Sequence, residues 1–124
     1  MSPRSEEYIE AANRKLEAAR VMLRNGLPED AAGAAYYAML NAARAAASEE
    51  GRHSKTHHGA WVLFAELFVS TGRVPRDLQS AAEEARQLRE QADYGAAGAD
   101  EGQAREAVAG AERFVRIVEE LCRP

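Results

Sequence analysis

Apolar residues recur along this chain at intervals of three and four, the spacing that puts them on one face of a helix. Ile9, Ala12, Leu16, Ala19 and Leu23 form the first such face. Gly26 and Pro28 follow, so a first helix is predicted from near Ser5 to Asn25. The second helix, from near Pro28 to Glu50 with Gly51 as its stop, is apolar almost all round. A helix of that kind sits at the centre of a bundle or is shared with a partner chain. One polar stripe interrupts it, made of Tyr37, Asn41, Arg44 and Ser48.

A third helix is predicted from the N-cap Thr56 to Thr71-Gly72, with His57, Trp61, Phe64 and Phe68 on one face. A fourth opens with Pro75 in its first turn and carries a core stripe of Leu78, Ala81, Ala85, Leu88 and Ala92. Arg86, Arg89 and Asp93 run beside that stripe. Asp93 to Gly102 holds three glycines and is expected to be a loop. The last helix, from near Gln103 to Leu121, has the stripe Ala104, Ala107, Ala111, Phe114, Val118 and Leu121. No segment alternates at period two. The expected fold is therefore all-α, an up-and-down antiparallel bundle of about five helices in one domain over residues 1–124.

The 124 residues carry a formal net charge of −4, so no global positive field gathers nucleic acid, although a local basic patch could. A lone cysteine, Cys122, excludes an internal disulfide and fits a reducing compartment. The polar start of the chain is not a secretory signal, and no apolar run approaches the roughly 20 residues of a membrane span. The expected location is the cytoplasm, with no membrane association.

The three histidines fall together in Gly51-Arg52-His53-Ser54-Lys55-Thr56-His57-His58-Gly59. Imidazole can exchange a proton near neutrality, and an adjacent guanidinium can hold a phosphate in a two-pronged grip. Arg52 and His57 therefore suit metal-independent RNA cleavage, and free N–H groups at the start of the third helix would favour an anion. The opposing reading makes His57 a buried structural histidine on an aromatic face, with His53 and His58 solvated. His53 and His57 could share a helix face as metal ligands, but no glutamate or nearby cysteine completes a set, so no metal or other cofactor is expected. A second candidate group is Arg86, Arg89, Asp93 and Tyr94. There the plain reading is a surface ion pair between Arg89 and Asp93. A buried Arg44 would need a carboxylate, and Asp93 is the candidate. The charges of the first helix, Arg14, Lys15, Arg20 and Arg24 against Glu6, Glu7, Glu10 and Glu17, read as a solvated face or a basic strip for RNA.

Four blocks resemble the HEPN superfamily (higher eukaryotes and prokaryotes nucleotide-binding), in its branch of small stand-alone prokaryotic proteins. They are Ala34-Ala35-Tyr36-Tyr37-Ala38-Met39-Leu40-Asn41-Ala42-Ala43-Arg44-Ala45, Lys55-Thr56-His57-His58-Gly59, Phe68-Val69-Ser70-Thr71-Gly72 and Leu88-Arg89-Glu90-Gln91-Ala92-Asp93-Tyr94. The resemblance implies a helical bundle, often a homodimer, with a minimal nucleotidyltransferase as a frequent partner. In toxin–antitoxin pairs of this kind the HEPN protein is a ribonuclease. The superfamily's ribonucleases carry Arg, four to six residues, then His, often followed by Tyr. Arg52 to His57 has the residue types, before the third helix and with no Tyr following. Arg89 to Asp93-Tyr94 has the more comparable place, with Asp where histidine stands in the family and a shorter spacing.

The candidate catalytic residues are thus His57, Arg89, Asp93 and Tyr94, with Arg52 as a second arginine. Candidate nucleotide- or RNA-binding residues are Arg44, Asn41, Tyr37, Arg86 and Lys55. The expected function is a HEPN-type nucleotide- or RNA-associated module that pairs with a minimal nucleotidyltransferase in a toxin–antitoxin-like system. The alternatives are an active metal-independent endoribonuclease toxin and a purely structural bundle.

Overall fold

The starts of three helices in this chain are set by side chains that take up free backbone N–H groups. The computed structural model describes residues 1–95 and 97–123. In it α1 (Pro3–Arg24) opens on Ser2, whose hydroxyl accepts from the Ser5 N–H. Helix α2 (Pro28–Glu49) opens on a proline, with Glu29 and Asp30 in the first turn where the helix dipole favours them. Helix α3 (His57–Phe64) is capped by Thr56, and α5 (Glu101–Cys122) by a reciprocal box between Asp100 and Gln103. That box starts α5 two residues before the expected Gln103. Both α1 and α2 end in the same way. Gly26 and Gly51 take positive φ, and the N–H groups of Leu27 and Arg52 reach back to the carbonyls of Met22 and Ala47 at 3.0 Å.

Two predicted elements differ from the structure. The expected third helix is α3 followed by a π-helical stretch, Ala65–Val69, in which the Ser70 N–H reaches the Ala65 carbonyl at 2.9 Å. Helix α4 (Leu78–Asp93) starts after a turn rather than at Pro75, because the Leu78 N–H closes back on the Pro75 carbonyl. Asp77 does not cap it. Its carboxylate is held by Arg113 of α5 at 3.1 Å and 3.3 Å. The buried face of α4 centres on Leu78, Ala82 and Ala85, with Ala81, Leu88 and Ala92 only partly covered. Ala81 lies where α5 comes close: a Cβ placed on Gly110 would stand 3.0 Å from the Ala81 methyl. Ala96, in the expected loop, lies outside the described residues.

The helices form an all-α up-and-down bundle, and α2 is its centre. It packs against α1, α3, α4 and α5, so its apolar circumference is covered within one chain. Alanine makes this possible: Ala31, Ala35, Ala38, Ala42, Ala43 and Ala45 are fully buried with nothing longer than a methyl group between helices. Bulk comes from the helices around it, where Phe64 and Phe114 stack 5.1 Å apart and Phe64 meets Phe68 at 5.4 Å. Loss of such a buried ring costs about 3–5 kcal/mol. Among the described residues no helix is long and apolar enough to cross a membrane.

Candidate functional site

Three residues from two helices meet at a single hydroxyl. Tyr36, on α2, is fully buried, and its phenol oxygen lies 3.2 Å from Trp61 Nε1 and 3.3 Å from His57 Nδ1. Thr56 sets this arrangement up, since its Oγ1 accepts from the Gly59 N–H at 2.9 Å and starts α3 at His57. Space is tight there as well: a Cβ on Gly59 would fall 2.0 Å from Ser54 Oγ and 2.8 Å from Thr56 Oγ1. His57 is half-buried, with its ring centroid 5.9 Å from that of Tyr36 and 5.8 Å from that of Tyr37.

One arginine packs against these rings, and a second acts on His57 through its charge. Arg89, on α4, holds its guanidinium 5.1 Å from the centroid of Tyr37 and 5.8 Å from that of Tyr36. Its one ion pair among the described residues is the Asp93 carboxylate at 3.7 Å. Arg44, on α2, reaches only the Lys55 carbonyl, at 3.5 Å, and its Nε is buried without a partner among the described residues. Burial pushes the His57 pKa below its ordinary value, and the charges of Arg44 and Arg89 push in the same direction. The cleft lined by Tyr36, His57, His58, Trp61, Arg86 and Arg89 has a volume of about 470 Å³. Glu83 and Glu90 also line it, but both are engaged by Arg86, which holds the Glu83 carboxyl below the usual range. The arginine of the lining that neither Glu83 nor Glu90 engages is Arg89; Arg44 lies outside the lining and acts on His57 through its charge.

The two polar stripes noted in the sequence do meet, at Tyr37 and Arg89. The Asp93 carboxylate pairs with Arg89 on its own helix, one turn away, as the plain reading of the sequence has it, and the alternative Arg44–Asp93 pair does not form. Arg52 lies on the exposed turn after α2, where its backbone caps that helix, and it does not line the cleft. Tyr94 is 88% exposed and stands beside Gln87, Glu90 and Gln91, away from His57. Asn41 spends its side-chain N–H on the Tyr37 carbonyl and lines a different groove, against α1. Lys55 contributes its carbonyl to Arg44 and is otherwise exposed. His53 precedes α3 and is exposed, so it shares no helix face with His57. Among the described residues no three His, Cys, Asp or Glu side chains come together as a metal site. On α1, Arg20 is committed to Glu17 and to Glu112 of α5, and Arg24 to Glu17. Lys15 instead reaches over Tyr37, 5.9 Å from its centroid.

Tyr36 and Trp61 were not among the site residues expected from sequence. Both read as core, and both are core. The available signal was that each carries a polar atom on an otherwise apolar face, and such an atom needs a partner when buried.

A family model for the HEPN domain matches residues 5–121, nearly the whole chain. The chain belongs to the HEPN family. The UPF0332 protein glr0978 of Gloeobacter violaceus is 31% identical over 123 residues, covering 98% of each chain. A Methanocaldococcus jannaschii protein named "Putative toxin MJ0605" is 32% identical over 107 residues, covering 86% of this chain and 80% of its own length. Among solved structures, TT1696 from Thermus thermophilus superimposes with a TM-score of 0.81 at 26% identity, covering 96% of this chain and 98% of its own. ST0689, described as an archaeal HEPN homologue, matches with a TM-score of 0.71 over 98% of this chain and all of its own; at 21% identity it speaks for the fold alone. In this HEPN chain the four sequence blocks fall on α2, the start of α3, the end of the π-helical stretch and its following turn, and the end of α4. The first, second and fourth contribute Tyr36, His57 and Arg89 to one cleft.

Proposed function

We propose that this single HEPN domain binds the anionic oxygens of a nucleotide or RNA in the cleft between α3 and α4, and that it works beside a minimal nucleotidyltransferase in a toxin–antitoxin-like pair. The observation that carries the binding half is the placing of Arg89 across one cleft from His57 and against the rings of Tyr36 and Tyr37, with the charge of Arg44, which lacks a carboxylate partner among the described residues, acting on the same histidine. A guanidinium held by only one long carboxylate contact, beside aromatic rings, offers charge, directed donors and a stacking surface, which is what a nucleotide requires. The partner, and a homodimeric state, rest on the family resemblance. The test of binding is titration of the purified protein with AMP, ATP and a short single-stranded RNA, beside Arg89→Ala. Saturable binding weakened by the substitution supports the reading, and unchanged affinity overturns the site. Co-expression with a minimal nucleotidyltransferase from the same organism, followed by co-purification, tests the partner.

A second reading, a metal-independent ribonuclease toxin, is favoured by the named toxin relative and by the placing of an arginine and a histidine across one cleft. In that reading Arg89 holds the phosphate and His57 moves the proton. Asp93 would not replace the histidine, because it is exposed and faces Arg89. Cleavage of mixed RNA by metal-free protein, lost in both His57→Ala and Arg89→Ala with folding intact, would select it.

A further inference from the structure

The hydrogen bonds at the Tyr36 hydroxyl leave little freedom in which proton goes where. An indole N–H can only donate, so Trp61 Nε1 donates to the Tyr36 oxygen at 3.2 Å. The tyrosine's own proton is then available to the other polar atom bonded to it among the described residues, His57 Nδ1 at 3.3 Å. An Nδ1 that accepts carries no proton, so the proton of neutral imidazole is on Nε2. The reverse assignment, with Nδ1–H donating, would leave a fully buried hydroxyl accepting twice with its own proton unbonded.

We infer that Tyr36, anchored by Trp61, is a positioning residue that fixes His57 as the Nε2–H tautomer, so that the ring offers the cleft a hydrogen-bond donor and no basic nitrogen. Every charged neighbour is consistent with a neutral ring. Arg44 of α2 and Arg89 of α4 act on it as cations, while Glu83 and Glu90 of α4 are occupied by Arg86. Among the described residues Nε2 has no protein partner. With the Arg89 guanidinium in the same cleft, and the Glu83 and Glu90 carboxylates held by Arg86, the donors at this end of the cleft select an anionic oxygen over a proton-donating group. This ligand half rests on the anion-binding reading above. It also sets a limit on the ribonuclease reading: in its resting state His57 cannot take a proton through Nε2, and its basic nitrogen is covered by Tyr36.

The test is long-range ¹H–¹⁵N correlation spectroscopy of the histidine rings in the full-length protein near pH 8, with His57 assigned by its loss in His57→Gln. Wild type is expected to show one tautomer, with Nδ1 unprotonated and Nε2 protonated. Tyr36→Phe is expected to give a mixture of tautomers and a higher His57 pKa, because the hydrogen bond that favoured the neutral ring is gone. Trp61→Phe, which leaves the hydroxyl in place but unanchored, is expected to move the ratio part of the way, and it carries the comparison if Tyr36→Phe does not fold. A protonated Nδ1 in wild type overturns the inference without any variant, as does a ratio that neither substitution moves. Titration with inorganic phosphate separates the two halves. A saturable shift of the Nε2 signal, lost in Arg89→Ala, is the expected result. No shift while the tautomer stands overturns the anion-binding reading and the ligand half with it, and leaves the positioning role in place.

Discussion

The Arg89 guanidinium lies 5.1 Å from the ring centroid of Tyr37, joining a side chain of α4 to one of α2. An arginine so placed is held by a ring face and a loose carboxylate contact, and its donors remain largely unspent. Arg89→Ala is expected to weaken nucleotide binding by tenfold or more, since a hydrogen bond to a charged group is worth about 1.5–3 kcal/mol. Thermal stability should change by no more than about 1 kcal/mol, the scale of a partly exposed cation–π contact. Calorimetric titration and thermal denaturation of the two proteins check both numbers. Arg89→Lys should recover only part of the affinity, because charge returns without the planar fork.

His57 gives the fold a defined pH response. Its pKa is held below the ordinary 6.5 by burial and by two arginines. Between that lower value and 6.5 the unfolded chain binds more protons than the folded one, so falling pH favours unfolding. The stabilising contribution is therefore complete above about pH 6.5 and is lost as the pH drops through the folded-state value. Denaturation midpoints for wild type should fall between pH 7.5 and pH 5 more steeply than those of His57→Gln, and parallel curves would show that another group governs this range.

Arg44 is predicted to trade stability for binding. Its buried Nε has no partner among the described residues, a situation that costs about 1–3 kcal/mol. Arg44→Met keeps much of the aliphatic stem and removes the orphaned group. We expect folding stability to rise by about 1 kcal/mol, anion affinity to fall, and the His57 pKa to move up because the repelling charge is gone. Chemical denaturation, phosphate titration and histidine NMR on the one variant check the three effects together.

Thr56 links a helix cap to the site. Its hydroxyl oxygen is the cap of α3, and His57 is the first residue of that helix. Thr56→Ala should cost about 1 kcal/mol in stability and should disturb the His57 ring signals more than those of Phe114. Thr56→Ser should restore both, since it keeps the capping oxygen.

Cys122 is expected to be chemically quiet in the native state. Burial raises its thiol pKa to about 11, with a further push from Glu49, and the residue is 6% exposed. The thiolate is the reactive form, so alkylation by iodoacetamide at pH 8 should be slow in buffer and rapid in denaturant, as read by mass spectrometry. Rapid native labelling would show that the end of α5 opens.

Most of the helices and the class of fold were legible in the chain alone, because helix formation and amphipathic periodicity are local properties written every three or four residues, whereas the π-helical end of the third helix and the late start of α4 were not. The apolar circumference of α2, the face of Trp61, Phe64 and Phe68, and the glycines that end α1 and α2 all act at the positions where they were read. Family membership was legible for a related reason: four short blocks keep their order and spacing along the chain. Tertiary structure decided the site. The Arg89–Tyr37 and Tyr36–His57 contacts join residues distant in sequence, and no local pattern states which stripe of α2 will face which stripe of α4. The partner of Asp93, by contrast, was legible: the i,i+4 pair with Arg89 is a local contact, and it forms in preference to the alternative partner Arg44. Arg52 and Tyr94 fit a spacing rule on the chain, yet the turn after α2 and the end of α4 leave their side chains outside the cleft, because closeness in sequence sets a helix position and not the direction in which a loop residue points.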